Sequence, residues 1–165
     1  MDAAAVIVRD AVAADFASVL RMNLESERFL SPMDAQRLQL LRAAAALHRV
    51  ACIDDAVVAF VLAFREGANY DSPNYQWFAS RYDTFLYVDR VVVDGAHQGK
   101  QLGGELYRDV FRVAREAGVP RVTCEFDVVP PNEASRKFHA RFGFVEVGEQ
   151  WVGKKKVSMQ AADVG

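Results

Sequence analysis

Only two cysteines occur in 165 residues, Cys52 and Cys124, and they form no Cys-x-x-Cys pair. A disulfide framework and a thiolate metal cluster are therefore both excluded as the basis of the fold. Each cysteine sits in an apolar, strand-like run, so both are read as buried thiols suited to a reducing cytosol. The three histidines, His48, His97 and His139, have no metal-ligand spacing with one another or with the cysteines, and no metal is expected. No apolar run approaches the roughly 20 residues of a membrane span. The first residues lack a basic segment followed by an apolar core. A cytoplasmic protein without a membrane partner is expected. Charge of one sign is also scarce: the formal net charge is -2, and Lys154-Lys155-Lys156 is the only basic run. Such a run is usually a solvated turn, so no nucleic-acid partner is expected.

Two phosphate motifs are missing as well. A Walker A loop needs four residues between its glycines and then Gly-Lys-Ser/Thr. Here three residues separate Gly95 from Gly99, and Lys100 is followed by Gln101. The Gly-x-Gly-x-x-Gly of a dinucleotide fold does not occur. What does occur is Gln98-Gly99-Lys100-Gln101-Leu102-Gly103-Gly104, placed between a strand-like run, Phe85 to Val93, and a helical pattern. Leu102, Leu106, Val110, Val113 and Ala117 recur at spacings of three and four. A small-residue loop that feeds a helix N-terminus can cradle an anion, because first-turn amides lack intrahelical partners and the dipole favours negative charge.

The composition, 52% hydrophobic and 25% charged, fits an ordinary globular protein, and the length fits one domain over residues 1–165. Ala5 to Val8 reads as a first strand. A helix from Ala13 to Glu25 follows, with Phe16, Val19, Leu20 and Leu24 on one face. Ser31-Pro32-Met33-Asp34 reads as a second helix start, with a hydroxyl cap, and that helix runs to about Leu47. Strands Arg49–Ile53 and Val57–Arg65 flank an Asp54-Asp55-Ala56 turn. The stretch from Gly67 to Tyr82 is turn-rich yet carries Tyr70, Tyr75, Trp77, Phe78 and Tyr82; it reads equally as a ligand-lining loop and as a short element anchored by its rings. Gly118 stops the phosphate-loop helix before a strand from Arg121 to Val128. A helix introduced by Pro130-Pro131-Asn132 ends near Phe142, with Ala134, Phe138 and Phe142 toward the core and Ser135 and His139 on the adjacent stripe. Strands Phe144–Val147 and Trp151–Met159 close the chain, the last hairpin offering an edge for a homodimer. The order, β-α-α-β-β-β-α-β-α-β-β, describes a mixed α/β domain.

With these elements in order, the chain resembles the GNAT superfamily of acyl-CoA-dependent N-acetyltransferases. The resemblance is specific over residues 85–144. That family's loop pattern, Arg/Gln-x-x-Gly-x-Gly/Ala, is matched by Gln98, Leu102 and Gly103, with Gln101 where the middle glycine usually stands. A second pattern, Asn-x-x-Ala/Ser-x-x-Leu/Phe-Tyr-x-x-x-Gly-Phe, is matched by Asn132, Ser135, Phe138, Gly143 and Phe144, with His139 in the tyrosine position. The resemblance implies a GNAT-like fold: a central mixed, mostly antiparallel twisted sheet of six or seven strands flanked by about four helices. It implies acetyl-CoA as cofactor, CoA as product and no metal. The amides from Gln98 through Gly99, Lys100, Gln101, Leu102, Gly103 and Gly104 would hold the pyrophosphate. Val91, Val92 and Val93 would pair with the pantetheine arm, and Asn132, Ser135 and Phe138 would line the cofactor. Gln101 takes positive φ less readily than glycine, so the loop is expected to tilt or to draw on Gly99.

The implied reaction moves acetyl to a primary amine of a small molecule or peptide. An alkylamine, with a pKa of about 10, must lose a proton before it attacks, and the thiolate leaving group benefits from a donor. Asp89, on the strand that meets the thioester, is the leading base; an ion pair with a nearby arginine is the structural alternative. Glu25 and Glu27, near the turn between the first two helices, are the other acid candidates. His139 is the donor candidate by position, against a purely packed histidine. A domain that binds acyl-CoA without turnover is the competing reading, kept open by Gln101 and His139.

Overall fold

The structure is a computed structural model and describes residues 5–27, 30–99 and 101–165. Seven strands are hydrogen-bonded in the order β1-β2-β3-β4-β5-β7-β6. They are β1 (Val6–Asp10), β2 (Leu47–Ile53), β3 (Ala56–Arg65), β4 (Leu86–Val93), β5 (Arg121–Val129), β6 (Val145–Val152) and β7 (Lys155–Asp163). Among the described residues five α-helices accompany them: α1 (Phe16–Glu25), α2 (Ala35–Ala44), α3 (Pro73–Ala79), α4 (Leu102–Glu116) and α5 (Glu133–Ala140). The mixed, mostly antiparallel sheet matches the expected architecture, with α3 as the addition. By internal contacts the chain divides into two units, Met1–Phe64 with Asp89–Val110, and Arg65–Val88 with Phe111–Gly165.

In the first unit β1, β2 and β3 run antiparallel. Asp54 and Asp55 turn the β2–β3 hairpin at φ 51° and 65°. Two consecutive residues of positive φ suit the right-handed twist of a hairpin, and aspartate tolerates that region. The α1 face differs from expectation. Val19, Met22 and Asn23 are buried, whereas Leu24 is 66% exposed. Burial of a polar Asn23 is tolerated because it is hydrogen-bonded to Arg90 and to the Ser31 carbonyl. The α2 cap is Asp34, which accepts from the Arg37 amide at 2.7 Å, rather than Ser31. That helix stops at Ala44, so β2 starts at Leu47.

In the second unit the stretch from Gly67 to Tyr82 forms α3, capped by Ser72 with Pro73 in its first turn. Tyr75 and Phe78 are buried against Phe85 and Tyr87. The Tyr75 hydroxyl donates to the Arg65 carbonyl at 2.7 Å and accepts from the Ala68 amide. The rings therefore anchor this segment. β5, β7 and β6 form an antiparallel meander whose β6–β7 hairpin turns at Gly153, φ 61°, so β6 runs on to Val152 where the sequence pattern ends a strand at Val147. Gly148 lies inside β6. An added Cβ there would lie 2.3 Å from Cζ2 of Trp77, so the strand passes directly against the indole.

Gly148→Ala must displace Trp77 and is expected to cost about 1–3 kcal/mol in chemical denaturation, an effect that Trp77→Ala in the same background should largely abolish. His48, 8% exposed, stacks on Phe16 and meets Phe60 edge-on, and neither ring nitrogen has a hydrogen-bond partner among the described residues. Burial lowers its pKa to about 4, helped by Arg42 and opposed by Asp15. The unfolded chain therefore binds a proton below about 6.5 that the folded chain refuses. Stability should fall by about 3 kcal/mol as pH drops from about 6.5 to about 4, and His48→Phe should flatten that part of the profile.

Candidate active site

β4 alternates from Val88 onward: Val88, Arg90 and Val92 are buried, and Asp89, Val91 and Val93 are partly exposed. Past its end, the Asp94 amide donates to the Val58 carbonyl at 2.8 Å. The Asp94 carboxylate meets His97 Nδ1 at 3.0 Å and Arg21 at 3.4 Å. The imidazole contact, then the guanidinium, hold its pKa below the usual carboxylate range against a desolvation that raises it. Gln98 Nε2 donates back to the Val93 carbonyl at 2.9 Å. This folds the Gly95–His97 turn onto the strand and sets the start of the loop.

The loop itself uses two left-handed residues. Gly99 has φ 81° and Gln101 has φ 59°; Lys100 lies outside the described residues. Gln101 thus adopts the conformation for which a glycine is the low-cost residue, at a strain of roughly 1–2 kcal/mol. Helix α4 begins immediately after it, and the Glu105 amide to the Gln101 carbonyl, 3.1 Å, opens its ladder. The amides of Leu102, Gly103 and Gly104 precede that bond, as first-turn donors do. Leu102, Leu106 and Val110 are buried on one stripe. Arg49 of β2 grips Asp109 of α4, with Nε 2.6 Å from Oδ2 and Nη2 3.2 Å from Oδ1.

Asp89 lies in the ion pair that was its structural alternative. Arg90 Nε donates to Asp89 Oδ2 at 2.6 Å, and the two side chains are 4% and 7% exposed. Arg90 Nη1 also donates to Asn23 Oδ1 at 2.9 Å and to the Ser31 carbonyl at 3.2 Å. Glu25 is exposed and paired with Arg21 at 3.1 Å; Glu27 is exposed. Neither acid joins the buried cluster around Asp89.

In the second unit, Asn132 caps α5 by accepting from the Ser135 amide at 3.2 Å. His139, rather than Ala134, is the buried residue of this helix, enclosed by the rings of Phe126, Phe138 and Phe144. Its Nδ1 lies 2.7 Å from the Ser135 carbonyl and 3.1 Å from the Ser135 hydroxyl. Burial lowers its pKa, and the carbonyl bond opposes that in part. A carbonyl only accepts, so the neutral ring carries its proton on Nδ1 and presents Nε2 as an acceptor. Here too the Tyr87 hydroxyl donates to Glu125 Oε2 at 2.7 Å, close to the β4–β5 register pairs Leu86↔Val122 and Tyr87↔Thr123. A small cavity of about 60 Å³ adjoins Asn132, Phe126 and Pro131. A larger one, about 370 Å³, is lined by Gln39, Arg42 and His48 among others and by none of the expected site residues.

Arg90, Asn23 and the Tyr87–Glu125 pair were missed from sequence. The available signal was a charge inside an apolar strand: Arg90 within Tyr87 to Val93, and Glu125 within Val122 to Phe126. Such residues are seldom buried unless paired.

Residues 14–144 match the model of the Acetyltransferase (GNAT) family. The chain belongs to that family. Solved structures repeat its fold. Ard1 from Thermoplasma volcanium superposes with a TM-score of 0.78 at 15% identity, covering 96% of this chain and 97% of its own. The ribosomal-protein-S18-alanine N-acetyltransferase of Escherichia coli gives 0.73 at 13% identity, covering 97% and 94%. yncA of Salmonella typhimurium, solved with its cofactor acetyl-CoA, gives 0.72 at 16% identity, covering 98% and 95%. No curated protein matches by sequence. The GNAT family uses acetyl-CoA, and this chain is a GNAT-family acetyltransferase. Among the described residues, no group of three His, Cys, Asp or Glu is arranged to hold a metal ion, and no helix is long and apolar enough to cross a membrane.

The αL residue of the loop gives a direct test. Gln101→Gly removes the left-handed strain and should leave acetyl-CoA affinity equal or tighter. Gln101→Ile, β-branched at positive φ, should weaken it about tenfold or more. Calorimetric titration with acetyl-CoA checks both.

Proposed function

We propose that this protein transfers an acetyl group from acetyl-CoA to a primary amine by direct attack of the amine on the thioester. The observation that carries the reading is the left-handed pair Gly99 and Gln101 opening directly onto the α4 N-terminus. In this reading the amides of Gln98 through Gly104, Lys100 among them, hold the pyrophosphate where the helix dipole favours negative charge. The backbone of Val91, Val92 and Val93 pairs with the pantetheine arm, and the Val91 amide supports the oxyanion that forms on the carbonyl.

The ammonium of the acceptor must lose its proton before the nitrogen lone pair attacks. Asp89 is the base in this reading, directly or through a water. Glu25 and Glu27, exposed near the end of α1, recruit a cationic acceptor rather than move a proton. His139 is assigned no proton-donating role: its neutral tautomer presents an acceptor at Nε2, and burial disfavours the imidazolium that could donate there. Attack forms the C–N bond and puts the negative charge on the carbonyl oxygen; collapse of this oxyanion breaks the C–S bond, CoA leaves as the thiolate, and the remaining extra proton on nitrogen passes to the thiolate through water.

Thiol release from acetyl-CoA, measured with butylamine, spermidine and a peptide with a free α-amino group, tests the reading. Turnover above the amine-free control is expected with at least one. Tight acetyl-CoA binding with no turnover on any acceptor would overturn it in favour of a binding domain.

A further inference from the structure

We propose that Arg90 is a positioning residue for proton removal. It holds the Asp89 carboxylate in place through a guanidinium that Asn23 and the Ser31 carbonyl fix at its other end. The inference rests on the acetyltransferase reading with Asp89 as base.

The argument begins with burial. Arg90 points to the closed side of β4 beside Val88 and Val92, and its side chain is 4% exposed. An arginine cannot shed its charge, so its desolvation must be met by partners on all sides. Three are in place. Nε serves Asp89 at 2.6 Å, and Nη1 serves Asn23 Oδ1 at 2.9 Å and the Ser31 carbonyl at 3.2 Å. Asn23 closes the figure by donating its own Nδ2 to the same Ser31 carbonyl at 3.2 Å. Asn23 is wholly buried, so its amide has little freedom to turn away.

The guanidinium is planar, and its donors keep a fixed fork geometry. Fixing Nη1 on α1 and on residue 31 therefore fixes where Nε points, and Nε points at Asp89. The carboxylate belongs to the neighbouring residue of the same strand, which plain alternation would send to the opposite side, yet its side chain is only 7% exposed. Its oxygen is drawn round to Arg90 and held there. Position and orientation of a base matter steeply, because proton transfer needs hydrogen-bond distance to the substrate. Lysine cannot replace this arrangement: one ammonium on a flexible stem does not span Asp89 and Asn23 with a rigid plane.

The test compares two nucleophiles on wild type, Arg90→Lys and Asn23→Ala. Butylamine is cationic at neutral pH and must be deprotonated before attack. Hydroxylamine is uncharged there and attacks without that step. Both variants are expected to lose about tenfold to hundredfold in kcat with butylamine, while hydroxylamine turnover, corrected for the uncatalysed reaction, and calorimetric acetyl-CoA affinity stay at wild-type values. Equal losses on both nucleophiles mean a purely structural role and overturn the inference, as do wild-type butylamine rates in either variant. Asn23→Ala keeps the Arg90–Asp89 pair and so reports even where Arg90→Lys folds poorly. Where the wild type prefers spermidine, it replaces butylamine as the cationic nucleophile; failure of the acetyltransferase reading would show in the wild type, which would then turn over none of these amines nor hydroxylamine and take the inference with it.

Discussion

The orientation of α4 is the constraint on which the rest of the site depends. A helix presents its first-turn amides to an anion only if it cannot roll about its axis. Here Leu102, Leu106 and Val110 form a buried stripe, and the Arg49–Asp109 contact grips the helix from β2. Fully burying one such aliphatic side chain is worth roughly 1.5–3 kcal/mol. The stripe therefore outweighs the strain of roughly 1–2 kcal/mol held in Gln101. That comparison explains why a residue other than glycine stands at φ 59°: the helix fixes where the chain must emerge, and the loop conforms.

Periodic features were legible in the sequence, and features set by a distant partner were not. The first part of the α4 stripe, Leu102, Leu106 and Val110, and the Asp54-Asp55 turn are local patterns found where the letters put them; Val113 is half-buried and Ala117, past the helix end, is exposed. The α1 face was misread because Asn23 counts as polar, yet Arg90, far along the chain, satisfies it inside. Ser31 and Asp34 are both competent caps; the chain uses Asp34, because Ser31 lends its carbonyl to Arg90 and Asn23. The letters end a strand at Val147, whereas β6 continues through Gly148 to Val152, because the missing Cβ at Gly148 lets the strand pass Trp77.

His139 shows the same limit inside the candidate site. Ranking by hydrophobicity sends Ala134, Phe138 and Phe142 inward and leaves the imidazole on the neighbouring stripe. The structure buries the imidazole, because one N–H is satisfied by the Ser135 carbonyl a turn earlier and three phenyl rings cover the rest. Its position in the motif suggests a donor, whereas the Nδ1 contact with the Ser135 carbonyl favours the tautomer with its proton on Nδ1.

If Asp89 is the base, as proposed, what the Asp89–Arg90–Asn23 arrangement contributes depends on the acceptor. Each pKa unit above ambient pH costs about 1.4 kcal/mol to deprotonate. An α-amino group, near a pKa of about 8, costs little over one such unit at neutral pH, whereas an alkylamine near about 10 costs roughly 4 kcal/mol. A base held by a buried arginine is a modest aid for the first and a substantial one for the second. The protein invests a buried charge and a buried amide in fixing that carboxylate, an arrangement that desolvation makes costly unless every partner is present. On that reading the investment is larger than an acceptor already about a tenth deprotonated at neutral pH would need, and it suits an alkylamine acceptor better than a peptide α-amine.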